Sequence, residues 1–174
     1  MTTASAPRKR QQKEEKQVTA AEIMTALRSR HRNWRQGWEE WAFFEELRGV
    51  GYGGVNEKRI DAWAIRLWAE KVRIAYEIKV SRSDFLREIK DPEKRQHALS
   101  VSNLYYFAAP SGLIKPDELP QECGLIEVAT DKNGTGLRSW IKVRAPHRDT
   151  AAPSWSFVAA IARRAKRLEV EAKS

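Results

Sequence analysis

The stretch from Val72 to Val80 alternates without a break. Val72, Ile74, Tyr76, Ile78 and Val80 fall on one parity, and Arg73, Ala75, Glu77 and Lys79 on the other. A period of two carried by β-branched and aromatic residues specifies a strand. It also puts Glu77 and Lys79 on one face. Upstream, Arg59 to Trp68 (RIDAWAIRLW) is apolar on both parities, as a strand covered on both sides must be. If Ala69-Glu70-Lys71 is the turn between them, Trp68 opposes Val72 and Asp61 opposes Lys79. Asp61 then lies diagonal to Glu77, roughly 7–8 Å away on the same face. A register slip of two brings Asp61 directly opposite Glu77, and a slip of one sends it to the other face.

An acid on one strand, then an acid and a lysine two apart on the next, is the set that metal-dependent phosphodiester hydrolysis needs. Two carboxylates offer oxygen donors to a hard cation. The tripeptide by itself says little, because Glu-x-Lys starts at Glu14, Glu77, Glu88 and Glu171 in this charged chain. Three of these fall in tail-like or helical contexts. The Glu77 copy alone lies in an alternating run. From these residues alone, a polar outer face on an ordinary hairpin stays open beside the metal reading.

A chain of 174 residues suits one domain with tails. A domain of this size buries roughly 70% of its unfolded surface and needs no disulfide staple. Seven Trp supply core anchors, and the single Cys123 excludes a disulfide framework or a cysteine-rich zinc site. A reducing compartment follows. No apolar run approaches the roughly 20 residues of a membrane span. The basic N-terminal residues have no apolar segment behind them, so no secretory signal is expected. The chain reads as cytoplasmic, with no membrane partner. Its net charge of +9 and pI near 9.8 suit a polyanion, DNA or RNA.

Residues 1–18 are polar and read as a disordered basic arm, in which Arg8, Lys9 and Arg10 are candidates for phosphate contact. Residues 19–145 form the expected domain. It opens with a helix from Thr19, its N-cap, to His31, with Ile23, Met24 and Leu27 at helical spacing. A second helix is expected from Gln36 to Arg48 (QGWEEWAFFEELR). Gly49 to Gly54 is glycine-rich. It follows a helix and precedes a strand, the wrong order for a Walker or Rossmann loop. After Lys79, Ser81 or Ser83 caps a helix to Lys90, and Pro92 opens another to about Val101. Leu104–Ala109 and Gly124–Val128 are strands, and Leu137–Val143 pairs back as an edge hairpin. Residues 146–174 form a linker and a C-terminal amphipathic helix capped by Ser154. Its apolar stripe is Trp155, Val158, Ile161, Ala162, Ala165 and Leu168, and its basic side is either solvated or in contact with DNA. The scattered His31, His97 and His147 offer no zinc or histidine-based nuclease motif.

This order of elements, with acids on the two strands, resembles the PD-(D/E)XK nuclease superfamily, the restriction-endonuclease-like fold. The chain is most similar to its MmcB-related DNA-repair branch. The matching residues are Arg59-Ile-Asp61, then Tyr76-Glu-Ile-Lys-Val-Ser-Arg-Ser-Asp-Phe85, then Asp91-Pro-Glu-Lys-Arg95. They continue through Tyr105-Tyr-Phe-Ala-Ala-Pro110, Gly112-Leu-Ile114 and Leu119-Pro120 to Gly124-Leu-Ile-Glu-Val128. The match covers roughly residues 40 to 130. Ile60 stands where the motif has proline, a residue that contributes no ligand.

The resemblance implies an α/β fold with a mixed central sheet flanked by helices. It implies a deoxyribonuclease using Mg²⁺ or Mn²⁺, in repair, recombination or phage DNA processing. Asp61, Glu77 and the backbone carbonyl of Ile78 would ligate the metal. Lys79 would orient the attacking water or stabilise charge on the phosphate. A further glutamate from the helix before the first strand would be Glu46, with Glu45 second. Arg82, Lys94 and Arg95 are candidate nucleic-acid contacts, with His97 on the same helix. Gln96 is a candidate support for Lys79, and Asp84 a cap or a partner for Arg87. Two rivals stay open: a non-catalytic nucleic-acid-binding or adaptor module on the same fold, and a nuclease acting on RNA.

Overall fold

Helix α1 (Ala20–Arg30) starts where Thr19 and Glu22 close a capping box. Its Ile23, Ala26 and Leu27 are buried. The structure, a computed structural model, describes residues 17–32, 34–35, 38–48, 59–131 and 133–173, and only the backbone of residues 34, 35 and 38. The expected arm 1–16 and the glycine-rich stretch 49–54 lie outside the described residues. Gln17 and Val18, assigned to that arm by composition, belong to the fold. Val18 is buried, and Gln17 Nε2 donates to the Val80 carbonyl at 2.9 Å.

Where a helix was expected from Gln36 to Arg48, the chain is extended. Strands β1 (Trp34–Arg35) and β2 (Trp38–Glu39) pair antiparallel, and β3 (Trp41–Arg48) follows. The run WAFFEELR satisfies either period, and its setting decides. Phe44 packs in one core and Phe43 against the other, so the segment is sandwiched and its aromatics suit a pleated surface. Next come β4 (Arg59–Arg66), β5 (Arg73–Ile78), α2 (Arg82–Ile89) and α3 (Pro92–Ser100). After them come β6 (Leu104–Pro110), a 3₁₀ turn (Pro116–Glu118), β7 (Gly124–Thr130), β8 (Leu137–Val143) and α4 (Trp155–Glu171).

The main sheet is six-stranded in the order β3-β4-β5-β6-β7-β8. It is mixed: β5-β6 and β6-β7 are parallel, and the other pairs antiparallel. A bulge interrupts the β7-β8 ladder at Leu125/Ile126. One face carries Trp63, Phe107 and Leu125 against Phe85 of α2, Ala98 of α3 and Phe157 of α4. The other carries Ala62, Tyr76, Tyr106 and Val128 against Ile23 and Leu27 of α1. Both faces are buried, which explains strands apolar on both parities. Two cores on one sheet make a single α/β domain. At Gly124 a Cβ would stand 2.4 Å from the Tyr106 ring, so the close approach of the two strands requires glycine.

The C-terminal segment is part of this domain. Arg148 donates to the Glu122 and Ser102 carbonyls, and its own carbonyl accepts from Asn103 Nδ2. Helix α4 is capped by Ser154, as expected, but its buried residues are Phe157 and Ala160. The expected stripe is displaced: Trp155 is 87% exposed and Leu168 36%. The apolar surplus of the helix obscured which arc faces Trp63.

The β4-β5 hairpin holds the slipped register. Ala62 faces Tyr76 and Ile65 faces Arg73. The turn takes two more residues than expected, because Arg66 N–H already pairs with the Val72 carbonyl. Within it Ala69 has a left-handed φ of 55° and Val72 N–H folds back to Glu70. A slip of two preserves parity.

Candidate active site at one end of the sheet

Strands β3 and β5 run one way and β4 the other, so the ends of β3 and β5 meet the start of β4. The β4-β5 ladder closes at Ala62 and Tyr76. Asp61 and Glu77 come next, level with each other. Ile78 N–H donates to Asp61 Oδ2 at 3.0 Å, and Asp61 Oδ1 lies 3.4 Å from Arg59 Nη2. The Lys79 N–H bonds the Ala108 carbonyl of β6. Alternation therefore turns the N–H and C=O of Ile78 to the β4 side, toward Asp61.

Lys79 is 5% exposed, an unusual place for an ammonium. Its Nζ lies 2.8 Å from Glu77 Oε1, 3.2 Å from Glu88 Oε2 and 3.5 Å from Asp84 Oδ2. Burial works against its charge, but Glu77 and then Glu88 outweigh that and raise its pKa. Glu77 moves up as well, to about 7. Burial is the main cause and the charge of Asp61 the next, and together they exceed the opposing pull of Lys79.

Glu46 sits between Glu45, which faces Ala62, and Leu47, which faces Ile60, so it is level with Asp61. Its φ of 49° is left-handed, a strained setting for glutamate. Its Oε1 is 3.5 Å from Arg59 Nη1, so Arg59 links Glu46 to Asp61. Glu46 comes from a strand, not the helix expected, and its side chain is 62% exposed. Glu45 is committed elsewhere, to Arg28 of α1. Glu45, Glu46, Arg59, Asp61 and Ile78 line a cavity of about 360 Å³ beside the start of α1. Among the described residues, no group of three or more His, Cys, Asp or Glu is set to hold a metal ion.

Two of the three proposed nucleic-acid contacts are tied up inside the fold. Arg82 makes a two-pronged ion pair with Glu118 and bonds the Leu113 carbonyl. Arg95 is 4% exposed and donates to Glu122 and the Glu88 carbonyl. The fork geometry of arginine serves internal pairing as readily as phosphate. Lys94 and Gln96 are exposed on α3, and His97 stands edge-on to Phe157. Support for Lys79 comes instead from Glu88 and Asp84, and Glu88 was missed. The usable signal was spacing: Asp84 and Glu88 are four apart on α2, hence on one face. Asp84 also pairs with Arg87 at 2.7 Å, and its backbone N–H is capped by Ser81.

No protein-family model matches the chain, and no curated protein matches its sequence. Its fold is similar to that of the SPO1766 protein of unknown function from Silicibacter pomeroyi. The two share 21% identity with a TM-score of 0.55, over 88% of this chain and 86% of that one. At that identity the likeness shows the fold alone. Among the described residues no helix is long and apolar enough to cross a membrane.

Proposed function

We propose that the chain is a Mg²⁺- or Mn²⁺-dependent nuclease that hydrolyses DNA phosphodiester bonds. We place it in the restriction-endonuclease-like PD-(D/E)XK superfamily, in the MmcB-related branch. One observation carries the reading: Asp61 and Glu77 lie level on adjacent strands, with the buried Lys79 ammonium on Glu77. The donor set fits a hard dication. Two carboxylates and the Ile78 carbonyl supply oxygen, and Glu77 is raised to about 7 by burial and by Asp61. When bound, such an ion supplies an acidified water and Lewis-acid polarisation of the phosphate.

The chain's own residues do the rest. Asp61 and Glu77 would hold the dication. Ile78 N–H fixes the Asp61 carboxylate. Lys79, kept protonated and held by Glu77, Glu88 and Asp84, presents a fixed positive charge to the reacting phosphate. A preorganised charge of this kind needs little rearrangement as the transition state forms.

The second reading, a non-catalytic binding module, draws on Lys79 being engaged by three carboxylates. Cleavage assays on single strands, duplexes, flaps and branched junctions, with Mg²⁺ or Mn²⁺ and with RNA counterparts, decide between them. Metal-dependent products that vanish in Asp61→Ala support the nuclease. Their absence from every substrate favours the module.

A further inference from the structure

We infer that the groove between the end of β3 and α4 is a track for the phosphate backbone of duplex DNA, leading to the candidate site. This rests on the nuclease reading above. The groove has a volume of about 780 Å³, and its charged lining is Arg48, Arg163, Arg164 and Arg167 with Glu46 and Glu171. Four guanidiniums against two carboxylates make it a cationic channel. Guanidinium forks match phosphate oxygens two at a time.

The helix that carries three of these arginines is firmly placed. Phe157 is buried edge-on against Trp63 with ring centroids 5.4 Å apart, and Arg164 Nε donates to the Glu45 carbonyl at 3.2 Å. Arg164 therefore pins α4 to β3, while Arg163 and Arg167 are exposed along the groove. Arg167 pairs with Glu171 at 3.3 Å, an exposed i,i+4 contact weak enough to open for a phosphate. Arg164 also lies 3.6 Å from Glu171, and outside the groove Lys166 pairs with Glu169.

Position gives the groove its direction. Glu46 lines it and also lines the cavity that holds Asp61 and Ile78. A backbone lying on the arginines thus reaches Glu46, and past it the cavity lined by Asp61.

The test uses the full chain and a fluorescent duplex of arbitrary sequence, with anisotropy read across a salt series in EDTA. The double variant R163E/R167E is compared with R138E/K142E on β8 at the far edge of the sheet, which changes net charge equally. Each phosphate contact contributes a log–log slope of about 0.9, so the groove variant should lose about 1.8 and bind about tenfold or more weakly. The milder R163Q/R167Q should follow in the same direction, with melting curves confirming the fold. The β8 variant should keep the wild-type slope.

An unchanged slope in the groove variants, equal losses in both charge-reversed proteins, or no duplex binding by the wild type would each overturn the groove. Unchanged slopes with Asp61-dependent cleavage intact would remove the groove and leave the nuclease reading standing. Groove-dependent binding without cleavage under any divalent ion would support the groove and overturn the nuclease.

Discussion

Tyr76 and Glu77 are consecutive on β5, yet they open onto opposite faces of the sheet and into opposite electrostatic regimes. On the α1 side, the Tyr76 hydroxyl shares a hydrogen bond of 2.7 Å with His31 Nε2, inside a cluster of Trp41 and Phe43 rings. Both groups are neutral at pH 7. Burial, aided by Arg30, lowers His31 to about 4, and burial raises Tyr76. On the α2 side, Lys79 stays charged because Glu77, Glu88 and Asp84 surround it. Burial neutralises a group that lacks a counter-charge, and surrounding carboxylates keep a buried ammonium charged. A sheet with two cores can therefore hold neutral polar groups on one side of a strand and a buried charge on the other.

The most severe break in this contrast comes from removing the acids. Asp61→Ala or Glu77→Ala should cut metal-dependent cleavage by on the order of 10²–10³ or more, the scale of losing one preorganised group. Metal-free Asp61→Ala should melt no lower than wild type, since the repulsion on Glu77 is relieved. Normal cleavage by either purified variant would reject the site. Next in size, Lys79→Met should leave Glu77 and Glu88 buried without their cation. A loss of about 3–5 kcal/mol in urea unfolding at neutral pH is expected, with turnover falling more than duplex affinity. A variant as stable as wild type would mean that the pair is more solvated than its burial implies.

The two faces should also respond oppositely to pH. His31 is held at about 4, below its ordinary 6.5. Between those values the unfolded chain binds a proton that the folded chain refuses, so stability falls as pH falls through that window, by up to about 3 kcal/mol. Glu77 is held at about 7, above its ordinary 4.5. There the folded chain keeps a proton that the unfolded chain releases, so stability falls as pH rises from 4.5 to 7. The two slopes oppose each other where the windows overlap. Urea midpoints at pH 5, 6 and 7 should become more acid-sensitive in Glu77→Gln and more base-sensitive in His31→Gln. Identical profiles for both variants would erase the distinction between the faces. Smallest is Ser154→Ala, which removes the α4 cap and should cost about 1 kcal/mol while sparing the carboxylate pair.

Parity put Glu77 and Lys79 on one face, and Lys79 Nζ lies 2.8 Å from Glu77 Oε1. The hairpin register differs by two residues from the one the turn suggested, a slip that preserves parity. The helix starts were written in Thr19, Ser81, Pro92 and Ser154. What sequence could not carry were choices made by distant partners. Trp41–Arg48 fits a helix or a strand, and becomes a strand because α1 and α4 sandwich it. Arg82 and Arg95 look like phosphate ligands until Glu118 and Glu122 are brought to them from beyond β6. Val18 looks like tail until Ile23 and Tyr76 pack around it.

The β7-β8 edge has a consequence for life at high concentration. An open sheet has two margins, and a flat margin invites another molecule to add its own strand. On β8, Arg138 and Lys142 are exposed, and the bulge at Leu125/Ile126 breaks the regular ladder beside it. A neighbouring copy that tried to dock there would bring like charges together on a distorted template. The margin thus guards against polymerisation, and the guard rests on two side chains. Exchanging both for valine would leave the 38%-exposed Ile141 on an uncharged margin and should raise the tendency to aggregate, read by light scattering at high concentration.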